Sequence, residues 1–178
     1  TPSGIDRWRK AFHLRQLDSV PLKLGAWARN IDTKVLRNNS PQDVQALVTS
    51  LQALGYRMQG LIEARSSPQA EFLVQELLAD FRAWRLRVQG AFQGLSYDPA
   101  AGEAQAAAFR DRLNEIMDHM EQRIELTLDK AAEGQMSVED GENFYRLLGA
   151  YRGVSEAMVE YAGMVGRIDW DRWREARF

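Results

Sequence analysis

The sequence predicts an all-α protein: an antiparallel up-down bundle of four long helices, with additional short helices at the N- and C-terminal ends. Three observations carry this expectation. Apolar residues recur at alternating steps of three and four along four segments, which is the repeat of a single helix face. These segments are bounded by capping residues and joined by short connections, which favours antiparallel neighbours packed at shallow angles. No stretch alternates with period two for long enough to build a sheet.

Taken in order, residues 6–19 and 21–38 read as two shorter helical pieces broken at Val20-Pro21. They lengthen the bundle, cross its end, or connect it to something outside. The first long helix follows Ser40-Pro41-Gln42-Asp43, where Ser40 caps, Pro41 takes the first helical position and Asp43 suits the positive end of the helix. Its seam is Val44, Leu47, Leu51, Leu54, Met58 and Leu61. Ser67-Pro68-Gln69-Ala70-Glu71 opens the second, with a stripe of Leu73, Leu77, Phe81, Trp84, Val88, Ala91 and Leu95. It should end between Gly94 and Pro99, because the residue before a proline is pushed out of helical backbone. The third spans 103–133 with Phe109, Leu113, Ile116, Met120, Ile124 and Leu128 on one side and Gly134 as the stop. The fourth is capped by Ser137, carries Glu139 and Asp140 in its first turn, and has the longest seam: Phe144, Leu147, Tyr151, Val154, Met158, Tyr161, Val165 and Ile168.

A chain of 178 residues suits a single helical domain, large enough to bury a core without disulfides or metals. Within 1–178 the expected parts are basic helices over 1–40, the four-helix core over 41–168 and a terminal Arg/Trp segment over 169–178. Composition is that of a globular protein, 45% hydrophobic and 27% charged with only 5 prolines. The absence of Cys excludes a disulfide framework, a thiolate nucleophile and a zinc ribbon. Uncharged stretches fall far short of the roughly 20 apolar residues that span a bilayer. There is no initiator Met and no signal-peptide pattern, so the chain reads as a piece of something larger.

Charge is unevenly placed. Residues 1–40 hold eight Lys or Arg against three acids, a net of +5, which leaves 15 basic against 22 acidic residues, a net of −7, in the rest. A basic N-terminal segment fits anionic lipid headgroups, the flank of a membrane helix, or docking onto the acidic remainder of the same chain. The acidic body would repel phosphates, which excludes nucleic acid as a partner.

Candidate chemistry is sparse. The stretch 129–140 has the outline of a calcium loop, with Asp129 first, Gly134 sixth and Asp140 twelfth, but Ala131 supplies no oxygen at the third position and Asp140 is short for a bidentate ligand. A helix stop followed by a cap accounts for the same residues. Glu115 and His119 share a helix face near Asp118 and Glu121, yet the only other histidine is His13 and no second ligand pair exists, so a solvated polar face is expected. There is no Gly-x-Ser-x-Gly elbow and no phosphate-cradling glycine loop. The sequence therefore assigns no catalytic, metal or cofactor-binding residue and no cofactor.

Gly149 and Gly153, with Ala157 one turn on, form a small-x-x-x-small step, and Gly163 and Gly166 follow in the same helix. Glycine costs a helix about 1 kcal/mol relative to alanine, so this face is expected to receive something at close range, a neighbouring helix or another subunit.

The tetrapeptide Asp-Arg-Trp-Arg occurs at 6–9 and again at 171–174. Arg7, Trp8, Arg9, Trp170, Arg172, Trp173 and Arg174 thus form matched clusters at the two ends of the chain, suited to a headgroup belt, a protein interface, or burial of the indoles on the bundle. The basic Trp-containing start, together with the closing Tyr161-Ala162-Gly163 and Ile168-Asp169-Trp170-Asp171-Arg172-Trp173-Arg174-Glu175-Ala176-Arg177-Phe178, resembles the soluble cytoplasmic region of bacterial membrane proteins in the fusaric acid resistance and aromatic acid exporter superfamily. The resemblance transfers no functional residue. It implies a helical domain attached to a transport channel on the cytoplasmic face of the inner membrane, assisting assembly or gating.

The expected function is accordingly a non-enzymatic accessory or interaction domain, with the two Arg/Trp clusters as its contact region. Its partners would be the membrane portion of its own parent protein, a second copy in a homo-oligomer, or an anionic lipid surface. The alternative is a sensor domain holding a small ligand between helices near Trp84, Tyr145, Tyr151 or Arg152.

Overall fold

The computed structural model describes residues 39–69, 71–130, 134 and 136–170. Every regular element among them is helical: α1 (Pro41–Ser66), α2 (Glu71–Tyr97), a single 3-10 turn (Pro99–Ala101), α3 (Gly102–Lys130) and α4 (Val138–Arg167). The shorter helices expected over 6–19 and 21–38 lie outside the described residues, as does the terminal segment from 171 onward.

Each helix begins and ends for a local reason. The Ser40 hydroxyl accepts from the Asp43 N–H at 3.1 Å, satisfying one of the donors that a helix start leaves open. α1 stops where Ser67 turns extended, and Gln69 closes the connection by donating its amide to the carbonyls of Ala64 and Ser67. α2 ends before Asp98-Pro99, and Gln105 reaches back to the carbonyls of Gly94 and Asp98 to fasten the turn into α3. Gly134 has φ +87, left-handed backbone that a glycine adopts without strain. Ser137 and Asp140 then form a reciprocal capping box at the start of α4. Asp140, the acid that would close a calcium loop, thus spends its carboxylate on the Ser137 N–H at 3.2 Å.

The four helices pack against one another, with α4 at the centre. All eight residues of its expected seam are buried, and so are Leu148, Ala157 and Ala162 beside them. α4 packs along α1 and α3, whereas α2 lies mainly on α3 and reaches α4 through large side chains. Burial of each such aliphatic side chain contributes about 1.5–3 kcal/mol, which makes this shared face the main source of stability.

Five expected seam residues, Val44, Phe81, Phe109, Ile116 and Leu128, are only partly buried, and for two of them a neighbouring residue takes the core position. On α2 the buried row runs Leu77, Asp80, Trp84, with Phe81 half-buried one position round the helix, where its ring stacks on Tyr151 at 4.8 Å. On α3 Met117 takes the core position and Ile116 is half-buried. A strict three-four rhythm drifts relative to a straight helix, so either of two adjacent residues can fill such a position.

The start of α3 crosses the end of α4 at close range. A Cβ on Gly166 would stand 2.5 Å from the Glu103 nitrogen, and one on Gly102 would stand 2.5 Å from the Gly166 nitrogen, so neither position has room for a side chain. Near the same pole, Asn39 clasps Asp169: its carbonyl oxygen accepts from the Asp169 N–H at 2.7 Å, and its amide donates to the Asp169 carbonyl at 3.4 Å.

Candidate functional site

A buried polar arrangement is built where α2 meets α4. Trp84 donates its indole N–H to the Ser155 hydroxyl at 2.7 Å, and that hydroxyl donates in turn to the Tyr151 carbonyl at 2.8 Å. Tyr151 packs edge-on to Trp84 at 4.7 Å, and its phenol oxygen accepts from Arg65 at 3.0 Å. Burial pushes the Tyr151 phenol above its ordinary 10.0, against the opposing pull of Arg65 and, at longer range, Arg85. Tyr161 is likewise pushed upward by burial alone. Of the four residues expected around a sensor ligand, Trp84 and Tyr151 therefore occupy each other's space. Tyr145 is 52% exposed, and Arg152 forms an ion pair with Glu121 of α3.

A second polar cluster ties α2 to α3. Asp80 is only 8% exposed, and one carboxylate oxygen lies 3.0 Å from His119 Nδ1. Its other oxygen is buried without a well-aligned hydrogen bond, yet Arg123 Nε lies 3.4 Å away. The alignment is poor for a hydrogen bond but the charges still attract, so the contact is an ion pair. Arg123 also donates to the Glu76 carbonyl at 2.8 Å.

Beside this cluster runs a cleft of about 770 Å³ lined by Ala83, Leu86, Arg87 and Gly90 of α2 and by Phe109, Arg112, Glu115 and Ile116 of α3, with Asp80 and His119 at its edge. An Asp–His pair orients an imidazole for proton transfer, but catalysis also needs a nucleophile or a substrate proton in reach. No Ser, Thr or Cys lines the cleft. Glu115 is engaged by Arg112 at 3.2 Å, so the Glu115/His119 pair expected as a polar face has a protein partner for each member. Among the described residues no three His, Asp or Glu side chains gather as a metal site.

The third feature is a groove of about 510 Å³ between α1 and α4, floored by Gly60, Ala64, Gly149, Ala150 and Gly153 and flanked by Tyr56, Arg57, Glu63 and Arg146. The small-residue step thus behaves differently from expectation. Gly153 receives the Arg57 side chain, with Cδ 3.4 Å from where a Cβ would stand, and Gly149 has nothing within 4 Å. Close approach of another backbone occurs instead at Gly166, against Gly102. Gly102 also caps the 3-10 turn before α3, its N–H donating to the Pro99 carbonyl, so the need for a glycine there becomes visible only when Gly166 lies against it.

Of the seven Arg/Trp residues expected to make contacts, Trp170 is described, and it is buried at 4% exposure with its indole N–H donating to the Val165 carbonyl at 2.8 Å. This indole takes the packing alternative. Arg7, Trp8, Arg9, Arg172, Trp173 and Arg174 lie outside the described residues. Among the described residues no helix is long and apolar enough to cross a membrane. Comparison with protein-family models, with curated proteins and with solved structures finds no match.

Proposed function

We propose that this chain is a non-enzymatic helical interaction domain, arranged as an antiparallel up-down bundle, that works through its outer surface. The observation that carries the reading is the filling of the centre: Trp84, Tyr151 and Ser155 close the space between α2 and α4 with their own rings and hydrogen bonds. What such a bundle offers a partner is its grooves and charged faces. The antiparallel arrangement is supported by contacts between opposite ends of paired helices: Asn39 with Asp169, Glu76 with Arg123, and Glu103 with Arg167.

Attachment to a bacterial membrane protein of transport type, at the cytoplasmic face of the inner membrane, is the further part of the proposal. It is supported by the sequence resemblance of the closing segment and by the +5 charge of residues 1–40. There the domain assists assembly or gating by packing on the membrane portion of its parent or on another copy.

Light scattering on the full-length gene product in detergent and on this chain in buffer tests the reading. It requires a parent that needs detergent. A freely soluble parent, with this chain inert toward itself and toward anionic liposomes, refutes it, and the small-ligand alternative would then be tested by thermal shift.

A further inference from the structure

Two surfaces of this chain are uncompensated in opposite senses and share a spacing. The first is the exposed back of α3, on the flank of its buried face. Asp111, Asp118 and Glu125 succeed one another at intervals of seven residues, all exposed, with no ion pair to any of the three among the described residues. Glu115 and Glu121, close by, are already held by Arg112 and Arg152. Seven residues of helix advance about 10.5 Å. Such a row of exposed carboxylates on one helix makes a negative strip that favours positive charge laid along it.

The second surface is the groove between α1 and α4. Arg57 lies over Gly153 and forms no hydrogen bond or ion pair among the described residues. Arg146, seven residues before Gly153 on the same helix, reaches only the Asn143 side chain at 3.3 Å. Gly153, where the Arg57 side chain lies, and the Arg146 backbone are therefore about 10 Å apart along α4. Glu63 is the one carboxylate among the residues that line the groove, and the floor at Gly60, Gly149 and Ala150 presents no large side chain to an approaching surface.

We propose that the α1/α4 groove of one copy receives the acidic back of α3 of a second copy, with Arg57 and Arg146 opposite two successive members of the Asp111, Asp118, Glu125 row. This rests on the interaction-domain reading and names the partner. It is helix-in-groove recognition in which small residues permit approach and matched charges set the register. Leu126, 58% exposed beside the acidic row, and Tyr56 at the groove rim supply apolar contact. Because the two surfaces differ, the contact is head-to-tail, and each pair keeps one groove and one acidic back for further copies.

The test is mass measurement by light scattering and sedimentation on the whole chain, with two paired variants that neutralise charge without touching the core. The groove variant is Arg57→Ala with Arg146→Ala, and the row variant is Asp118→Asn with Glu125→Gln. The wild type is expected to assemble with concentration and to dissociate as salt rises, and each variant alone should associate about tenfold more weakly or worse. The two variants mixed should form a 1:1 pair and stop there, since each lacks the surface the next copy would need. A wild type that is monomeric at every concentration overturns the proposal. So does assembly that neither variant weakens, and so does a row variant that alters thermal stability but not mass, the sign of a basic segment of the same chain on the row. These results leave the interaction-domain reading standing, because that reading is decided separately by the full-length gene product in detergent.

Discussion

Replacing Gly166 by alanine should destabilise the bundle, although the same change in most helices stabilises it. An added Cβ there would stand 2.5 Å from the Glu103 nitrogen and 3.0 Å from the Gly102 carbonyl carbon. Ordinary contact distances are about 3.5–4.0 Å, so the start of α3 must retreat by roughly 1 Å. Alanine gains at most about 1 kcal/mol of helix propensity, less near a helix end. Overpacking against backbone costs about 1–3 kcal/mol, so the net loss should be about 1–2 kcal/mol. For a chain of this size that lowers Tm by about 2–4 °C per kcal/mol. Gly163→Ala is the internal control: the glycine lies in the same helix with nothing within 4 Å, so the propensity gain stands alone and Tm should rise. Urea unfolding followed by far-UV circular dichroism gives the free energies. If Gly166→Ala proves as stable as wild type, or Gly163→Ala proves the less stable of the two, the close-crossing argument is wrong.

Ser155→Ala should cost about 1–3 kcal/mol in urea unfolding, because it strands the buried Trp84 N–H, and combining it with Trp84→Phe should cost less than the two changes summed. Ser137→Ala should lose about 1 kcal/mol by opening the capping box, with Asp140→Ala overlapping it in a double-mutant cycle. Tyr151 and Tyr161 should remain protonated beyond the ordinary phenol value of 10.0. The unfolded chain then releases protons above that pH while the native chain holds them, so stability should be intact below it and fall as pH rises past it. Ultraviolet titration of phenolate beside unfolding curves checks this, and a stability that stays flat through that range would contradict it.

How much of this was legible beforehand follows from the kind of force involved. The seam of α4 from Phe144 to Ile168 and the caps at Ser40 and Ser137 depend on residues within a few positions of one another, and the structure places each as the pattern predicts. Asp80 was invisible, because an acid within an apolar stripe is understood only once His119, 39 residues on, is beside it. The choice between Phe81 and Asp80, or Ile116 and Met117, at one level of the core turns on which neighbouring helix has space. That is a tertiary question, to which helical periodicity answers only within one residue. The groove was half-legible: its small residues stood out, but its arginines became meaningful only when α1 was seen to lie against α4.

The clasp between Asn39 and Asp169 has a mechanical consequence. It holds the chain's approach to α1 beside its departure from α4, so a load drawn between those two points meets the clasp first. Pulled that way, the pair would open from one end, bond after bond, and not slide along its whole length at once. A bundle loaded in this direction yields at low force however deep its core.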